Sequence, residues 1–322
     1  MRVHVFEDFE TDIEKRWWLR GAVETNNVPP SLSASVPNRR ACRATETKDF
    51  DDKQGDPSKT WKAVIFNPVP GPPMGANTRL SFRYWLTGTD TLRVQIYSLS
   101  KNYHRHVTLT NLAQASWQSA TVDMTHARRP DGTGGPLAED ERIDDIQFYI
   151  APDAELIVDD IVLFEAAAAQ EKHPFPRRII FTGWFDTGQQ GKEWPGDFEI
   201  VKHDPPLTWK CAKSVVNPRT NSPWIRVSLR GLRPLSDLTR LRFRYRLDGN
   251  GPLRIVLANS NERREWLGAH TETIAGTWPE ASVDFKPATK NAFADELRFE
   301  VPAGSVLFVD DVLLFEPVTS SK

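Results

Sequence analysis

One half of the chain carries aromatic rings, amides, imidazoles and guanidinium groups at alternate positions of short segments. An aromatic ring can stack on the apolar C–H face of a sugar, and the polar groups can exchange hydrogen bonds with its hydroxyls. This combination is typical of a cleft for an oligosaccharide or polysaccharide. We predict that the ligand-binding residues are Arg83, Trp85, Gln95, Tyr97, His104, His106, Gln147 and Tyr149.

These residues must be positioned by β-strands, because apolar residues alternate with them along the chain. The apolar residues of these segments are Leu80, Phe82, Tyr84, Leu86, Leu92, Val94, Ile96, Ile146, Phe148 and Ile150. Successive side chains of a strand point to opposite faces, so the apolar set predicts the core and the ligand-binding set predicts one opposite face. The prediction requires Trp85 to share an open surface with Tyr97 and Tyr149.

The chain contains an internal repeat. Residues 78–93 match residues 239–254 at 10 of 16 positions, and residues 156–165 match residues 307–316, with Val-Asp-Asp in both copies. The offsets of the two matches differ by ten residues, which predicts a ten-residue insertion in the polar, Gly- and Pro-rich segment 125–142 of the first copy. The sequence therefore predicts one domain that has been duplicated.

Each copy is predicted to be all-β. Period-two alternation recurs through both copies, turn signals such as Thr87-Gly88 separate the runs, and no segment keeps a helical period over three turns. About 150 residues of short strands suit a sandwich of two antiparallel sheets. We expect two tandem antiparallel β-sandwich domains, at residues 1–165 and 178–318, joined by a linker at residues 166–177.

Several motifs recur in both copies. Each copy opens with a run of Phe and acidic residues (5–10 and 181–186), and a Trp follows shortly after it (Trp17 and Trp194). The middle of each copy has the motif L-x-F-x-Y-x-L-x-G, and the end has the motif Val-Asp-Asp-Ile/Val-x-Leu-Phe-Glu. With these motifs the chain resembles galactose-binding-like jelly-roll modules, and is most similar to carbohydrate-binding modules of the family 4, 11 and 22 type. The resemblance implies jelly-roll β-sandwiches that bind polysaccharide without catalysis, through a concave sheet face mainly of the first domain. The fold also resembles that of intracellular complex I assembly factors, so fold alone does not decide function.

The resemblance further implies a structural calcium ion in each domain, close to the first and last strands. Calcium takes six to eight oxygen ligands, which explains a cluster of acids at such a place. The predicted metal ligands are Glu10 and Asp160 in the first copy and Asp186 and Asp311 in the second. The alternative is that these acids lie on solvated strand edges, where charge discourages edge-to-edge pairing.

The second copy differs from the first at the binding positions. Arg246 replaces Trp85, and the corresponding face is expected to be rich in arginine: Arg242, Arg244, Arg246, Arg254 and Arg298. Guanidinium groups suit carboxylates and sulfates, so an acidic polysaccharide is the expected ligand if this copy binds one. Pairing of the arginines with neighbouring acids is the alternative.

Tryptophans in loops offer another candidate platform. Trp17 and Trp194 occupy matched positions in the two copies, which favours a structural role for both. Trp18 and Trp209 are unmatched and are therefore the better candidates for binding.

Composition excludes several classes of protein. The 322 residues include 41 Lys and Arg against 43 Asp and Glu, a net charge of -2 that argues against a general nucleic-acid binder. The longest apolar runs have strand length, so no membrane span is expected. Two cysteines are too few for a disulfide framework. We expect a monomer that is secreted, periplasmic or on the cell surface, with its signal segment absent from this sequence, and a cytoplasmic location stays open.

Catalytic motifs do not occur in the sequence, which has no nucleophile elbow, phosphate loop or His-Glu-x-x-His helix. We therefore expect no enzyme activity. Three hypotheses remain: a polysaccharide-binding protein or the ancillary domains of a larger carbohydrate-active enzyme; a structural or protein-interaction module; and a lyase or hydrolase that uses His104, His106 and Tyr149 as acid and base groups.

Overall fold

The computed structural model describes residues 2–11, 18–48, 60–75, 77–138, 141–166, 178–202, 210–270, 278–287 and 291–317. The chain forms two compact units. The first comprises Met1–Pro30 and Asn38–Pro176, and the second comprises Ser31–Pro37 and Arg177–Lys322. Most of the predicted linker, residues 167–177, lies outside the described residues, and the domain boundaries remain a prediction. None of the described residues form a helix long and apolar enough to cross a membrane.

The first unit is built from two antiparallel sheets. Its strands are β1 (Arg2–Glu7), β2 (Trp18–Arg20), β3 (Ala22–Glu24), β4 (Ala41–Arg43), β5 (Thr45–Thr47), β6 (Trp61–Asn67), β7 (Thr78–Thr87), β8 (Leu92–Ser98), β9 (Tyr103–Leu109), β10 (Gln118–Asp123), β11 (Ile143–Ile150) and β12 (Glu155–Glu165). Sheet I has the order β10-β7-β12-β4-β3, with β1 also paired to β12. Sheet II has the order β2-β6-β11-β8-β9, with β5 also paired to β6.

The second unit repeats this arrangement. Its strands are β13 (Ile179–Gly183), β14 (Gly196–Asp197), β15 (Glu199–Lys202), β16 (Lys210–Lys213), β17 (Val215–Val216), β18 (Pro223–Pro234), β19 (Thr239–Asp248), β20 (Leu253–Asn259), β21 (Arg264–His270), β22 (Glu280–Phe285), β23 (Phe293–Glu300) and β24 (Val306–Phe315). Sheet III has the order β15-β16-β24-β19-β22, with β13 paired to β24. Sheet IV has the order β14-β18-β23-β20-β21, with β17 paired to β18.

The core of each unit lies between its two sheets. All ten apolar residues that the alternation assigns to the core of the first unit are buried there. Phe82 of sheet I meets Phe148 of sheet II edge to face, with ring centroids 4.8 Å apart. Phe243 and Phe299 repeat this contact in the second unit, at 5.1 Å. The predicted fold class, two tandem antiparallel β-sandwiches, is confirmed.

The repeated Val-Asp-Asp motif has a backbone role. Asp160 and Asp311 adopt left-handed backbone angles, with φ of 47° and 50°. The register of β12 against β7 shifts between Asp159 and Val162 at this point. An extra residue in one strand produces such a bulge, and Asp tolerates the left-handed conformation better than most residues. Both copies therefore keep this motif at the same bend of the last strand.

Candidate functional site

The outer face of sheet II gathers most of the predicted binding residues. Gln95 and Tyr97 lie on β8, His104 and His106 on β9, and Gln147 and Tyr149 on β11. Paired residues of antiparallel strands share a face, and Gln95 pairs with both Gln147 and His106. Tyr97 pairs with His104. The alternation of polar and apolar residues therefore placed these six residues correctly on one surface.

Arg83 and Trp85 do not belong to this surface, so the prediction that they share it is wrong. Both lie on β7, which pairs with β10 and β12 in sheet I and forms no pair with β8. The turn after β7 leads the chain from one sheet to the other, so residues that face outward on β7 point away from those on β8. The Arg83 guanidinium donates to the Pro30 carbonyl at 2.6 Å and to Asp160 at 3.1 Å. Trp85 lies beside Ile157 of β12 and is half-buried.

One row of side chains crosses the five main strands of sheet II. Its cross-strand neighbours, from β2 to β9, are Arg20, Ile65, Gln147, Gln95 and His106, and we call this set the central row. The spacing of neighbouring strands gives the row a length of about 19 Å. A linear oligosaccharide of several sugar units fits along such a length.

The central row contains buried polar atoms with unused hydrogen-bonding capacity. Gln95 Nε2 donates to Gln147 Oε1 at 2.6 Å, and Gln147 Nε2 donates to Asp145 at 3.3 Å. Within the described part of the chain, Gln95 Oε1, His106 Nδ1 and Arg20 Nε are buried and have no hydrogen-bond partner. An unpartnered buried polar atom costs about 1–3 kcal/mol. Because Gln95 is 0% exposed, a ligand hydroxyl reaches its Oε1 only when the covering side chains move aside.

Two aromatic residues border the row on one side. The Tyr97 ring meets His104 edge to face, with centroids 4.9 Å apart, and both residues are half-buried. Trp18 is 52% exposed, and the Arg20 guanidinium lies 5.7 Å from the centre of its ring. Strand spacing separates Trp18 on β2 from Tyr97 on β8 by about 14 Å. The two rings therefore offer two separate stacking positions beside the polar row.

Tyr149 is less accessible than the sequence suggested. It is only 3% exposed and packs with Ala63 and Ile65, against which the half-buried Trp61 also packs. Its ring belongs to a small apolar cluster on the same face as the central row. Tyr149 therefore shapes the floor of the site and presents no open ring.

His106 is held in its neutral form. Burial, and next the charge of Arg93, lower its pKa to about 4. At neutral pH the imidazole therefore carries one N–H donor and one acceptor nitrogen, the pair of functions that a sugar hydroxyl complements. General acid–base catalysis near neutral pH needs a group with a pKa much closer to the working pH. A pKa this far below neutrality does not suit His106 to proton transfer near neutral pH.

Sequence reasoning missed the contribution of β2 and β6 to this face. The sequence pattern suggests a loop position for Trp18, and it does not single out Arg20 or Trp61, which lie on β2 and β6. Leu19 packs against the core between Trp18 and Arg20, so the same alternation could have revealed the strand. Its three residues were too few to stand out. Trp17 and Trp209 lie outside the described residues.

The four predicted calcium ligands are engaged with protein groups. Glu10 accepts the backbone N–H groups of Arg39 and Arg40 at 2.6 and 2.8 Å, and Asp160 pairs with Arg83. Asp186 accepts the backbone N–H of Lys210 at 3.1 Å, and Asp311 lies 3.7 Å from Arg244. Across the described ranges, no three or more His, Cys, Asp or Glu residues are grouped so that they could hold a metal ion. The calcium ions remain a prediction of the sequence.

Another acid of the first unit, Asp159, is buried beside the predicted metal ligand Asp160. Asp159 is fully buried beside Asp160, and burial followed by repulsion from Asp160 raises its pKa well above the usual value. Asn38 donates to Asp159 Oδ2 at 2.7 Å, and the Asp160 N–H donates to its Oδ1 at 2.8 Å. These bonds hold the bulge of β12 in place.

The corresponding face of the second unit, on sheet IV, carries a network of salt bridges. Arg226 binds Asp197 at 2.6 Å and Glu296 at 3.0 Å, and Arg298 lies 3.1 Å from Glu296. Arg254 and Arg298 also pair with Glu265 and Glu300. The expectation of a single basic face is wrong, because Arg242, Arg244 and Arg246 lie on β19 of sheet III. They face Glu280, Asp311 and Asp248, so in both sheets the arginines are matched by acids.

No protein-family model and no curated protein matches the chain. Among solved structures it is similar to the tandem CBM22-1–CBM22-2 domain of Xyn10C from Paenibacillus barcinonensis, with 13% identity and a TM-score of 0.31, covering 98% of each chain. It is also similar to the family 11 carbohydrate-binding module of the cellulase Lic26A-Cel5E from Clostridium thermocellum, with 20% identity, a TM-score of 0.34 and coverage of 51% of this chain and 95% of that one. A third is TmCBM61 in complex with β-1,4-galactotriose, with 13% identity, a TM-score of 0.28 and coverage of 47% and 88%.

Proposed function

We propose that the first unit binds an oligosaccharide or polysaccharide, without cleaving it, through a concave outer face of sheet II. The observation that carries the proposal is the central row. Gln95 and Gln147 form a hydrogen-bonded amide pair at its middle, and the acceptor Gln95 Oε1 stays unpartnered among the described residues. Both amides are almost fully buried, so hydrogen bonds from them to sugar hydroxyls require the covering side chains to move aside on binding.

The rings beside the row support the same ligand class. Trp18 and Tyr97 are accessible at two separated positions, where they can stack on the C–H faces of two sugar units. Polar groups between the two rings fix the orientation of the ligand, while the rings supply apolar contact area. A polysaccharide ligand agrees with what the sequence resemblance implies, and with a location outside the cytoplasm.

The experiment is a binding survey of the full chain against neutral and acidic polysaccharides, by affinity electrophoresis and then calorimetry with oligosaccharides. Tyr97→Ala and Trp18→Ala should each weaken binding about tenfold or more, since truncating an aromatic ring that stacks on the ligand removes a large part of the binding energy. Trp85→Ala is the matched control, because Trp85 lies on sheet I. Equal losses in all three variants, or no retention by any polysaccharide, would refute the proposal.

For the second unit we propose a structural role. The salt-bridge network on sheet IV pairs Arg226, Arg254 and Arg298 with carboxylates of the same face. A neutral glycan has no charged groups to replace these pairs, and an acidic glycan would have to compete with carboxylates that are already in place. Arg254→Ala should therefore leave polysaccharide binding unchanged in the same survey.

A further inference from the structure

The predicted insertion of the first unit lies against the edge of the binding face. The connection between β10 and β11 spans residues 124–142, whereas residues 286–292 make the corresponding connection of the second unit. Ala127 and Leu137 are buried in the core and anchor the segment 127–137, which we call the inserted loop. Its first residues run beside β9, the outermost strand of sheet II.

The inserted loop extends sheet II by one strand position. The His106 N–H donates to the Arg128 carbonyl at 2.8 Å, and the Arg128 N–H donates to the His106 carbonyl at 3.3 Å. This is an antiparallel bridge, and paired residues of such a bridge direct their side chains to the same face. Arg128 therefore continues the central row beyond His106 and lengthens it to about 24 Å.

A buried ion pair fixes the inserted loop from its other side. Arg105 and Glu141 are fully buried, and their two contacts measure 2.7 and 3.0 Å. Arg105 also donates to the carbonyls of Ala127 and Gly135, at 3.2 and 2.9 Å. Arg129 takes no part in the face, because its guanidinium lies 5.0 Å from the ring of Tyr103, which shares the inward side of β9 with Arg105. The position of Arg128 is therefore set before any ligand arrives.

The guanidinium of Arg128 is held so that two of its nitrogens stay available. Nη1 donates to the carbonyls of Thr125 and Ala127, both at 3.0 Å, which uses both of its hydrogens. Within the described ranges, Nε and Nη2 have no partner. These two nitrogens form the edge that binds a carboxylate or sulfate with two parallel hydrogen bonds. Arg93 on the neighbouring strand adds positive charge near His106.

We infer that Arg128 is a specificity-determining residue of the face, and that it binds an acidic group, a carboxylate or a sulfate, on a sugar located beyond His106. The inference rests on the proposed carbohydrate binding of the first unit. It gives the inserted loop a function that the second unit, with its shorter connection, does not share.

The test compares matched pairs of polysaccharides on the full chain. The pairs are polygalacturonate and glucuronoxylan, each before and after carboxyl reduction, and a sulfated galactan before and after desulfation. The wild-type chain should prefer the acidic member of at least one pair about tenfold, the range expected for charge-assisted hydrogen bonds. Preference in the first two pairs identifies a carboxylate and preference in the third a sulfate. Added salt should reduce the preference for the acidic member of the pair.

Variants at the loop separate recognition from folding. Arg128→Gln should abolish the preference, and Arg128→Lys should retain part of it, because lysine keeps the charge without the planar pair of donors. Arg129→Gln is the matched control, since it removes the same charge from the opposite side of the loop. An undiminished preference in Arg128→Gln, or an equal loss in Arg129→Gln, would overturn the inference.

The failure of the inference is distinguishable from that of the proposed function. If neutral and acidic members bind equally and Tyr97→Ala still weakens both, the carbohydrate site stands and the role of Arg128 falls. If the wild-type chain retains no polysaccharide at all, both fall together.

Discussion

The amide pair of the central row should serve binding and contribute little to stability. Gln95 and Gln147 are 0% and 3% exposed, yet one carbonyl oxygen of the pair has no partner in the described structure. The double substitution Gln95→Met/Gln147→Met replaces both side chains by apolar ones of similar length. We expect this double substitution to weaken ligand binding with little change in the stability of the first unit.

The magnitudes follow from the hydrogen bonds. Removing the Gln95–Gln147 bond costs about 1 kcal/mol, losing the longer Gln147–Asp145 bond costs about 1 kcal/mol more, and removing the unpartnered Gln95 oxygen recovers about 1–3 kcal/mol. The free energy of unfolding should therefore stay within about 1 kcal/mol of the wild-type value. Binding should fall about a hundredfold, because two or more hydrogen bonds to the ligand disappear at about 1.4 kcal/mol per factor of ten.

The assay combines urea unfolding, followed by tryptophan fluorescence, with calorimetric titration of the best polysaccharide ligand. The slope of the unfolding transition must match that of the wild type, so that the midpoint reports stability. Gln118→Met, at an exposed position of β10, controls for the chemical change itself. A loss of about 2 kcal/mol of stability with unchanged binding would show that the amide pair is structural and would refute the reasoning.

Three further predictions concern the scaffold. Arg105→Met should destabilise the first unit by about 3–5 kcal/mol, because it leaves the Glu141 carboxylate buried without its partner, and Arg105→Met/Glu141→Met should recover much of the loss in the same urea assay. Burial raises the pKa of Glu141, but hydrogen bonds from Arg105 outweigh it and hold the pKa below its usual value of 4.5. The stabilisation from this pair is therefore complete above about pH 4.5 and is lost as the pH falls through the lower folded pKa. Urea unfolding curves at pH 3 to 6 will measure this loss. The free energy of unfolding of Arg105→Met should depend less on pH than that of the wild type. Calcium at the predicted ligands Glu10 and Asp160 should raise the thermal midpoint by several degrees over that in EDTA, and identical midpoints would contradict the calcium prediction.

The alternation of residues predicted much of the fold. Leu80, Phe82 and Phe148 lie in the core because burying one side of every strand is the main source of stability. Every second residue of such a strand must therefore be apolar, and this pattern is visible in the sequence. Alternation is a property of a single strand, however. It does not tell which sheet a strand joins, so Trp85 was assigned to the face of Tyr97 although the two lie on different sheets.

The long-range parts of the site could not be predicted for a related reason. Arg128 reaches the central row only because a backbone bridge to His106 places it there, and backbone bridges leave no pattern in side-chain types. The insertion was visible as a difference between the copies, but its packing depends on Arg105 and Glu141, which are 36 residues apart. Charged residues at such separation resemble ordinary surface residues until the fold brings them together.

The two units show how one strand framework supports two different faces. Core positions are constrained by packing in both, so Phe82 and Phe148 correspond to Phe243 and Phe299 with nearly equal ring distances. Outer positions are not constrained by the core and can change without unfolding the sandwich. On sheet IV, carboxylates satisfy the arginines internally, so little binding capacity remains for a ligand. On sheet II, amide, imidazole and guanidinium groups of the central row have donors and acceptors that no described protein group engages. This difference is why we propose ligand binding for the first unit.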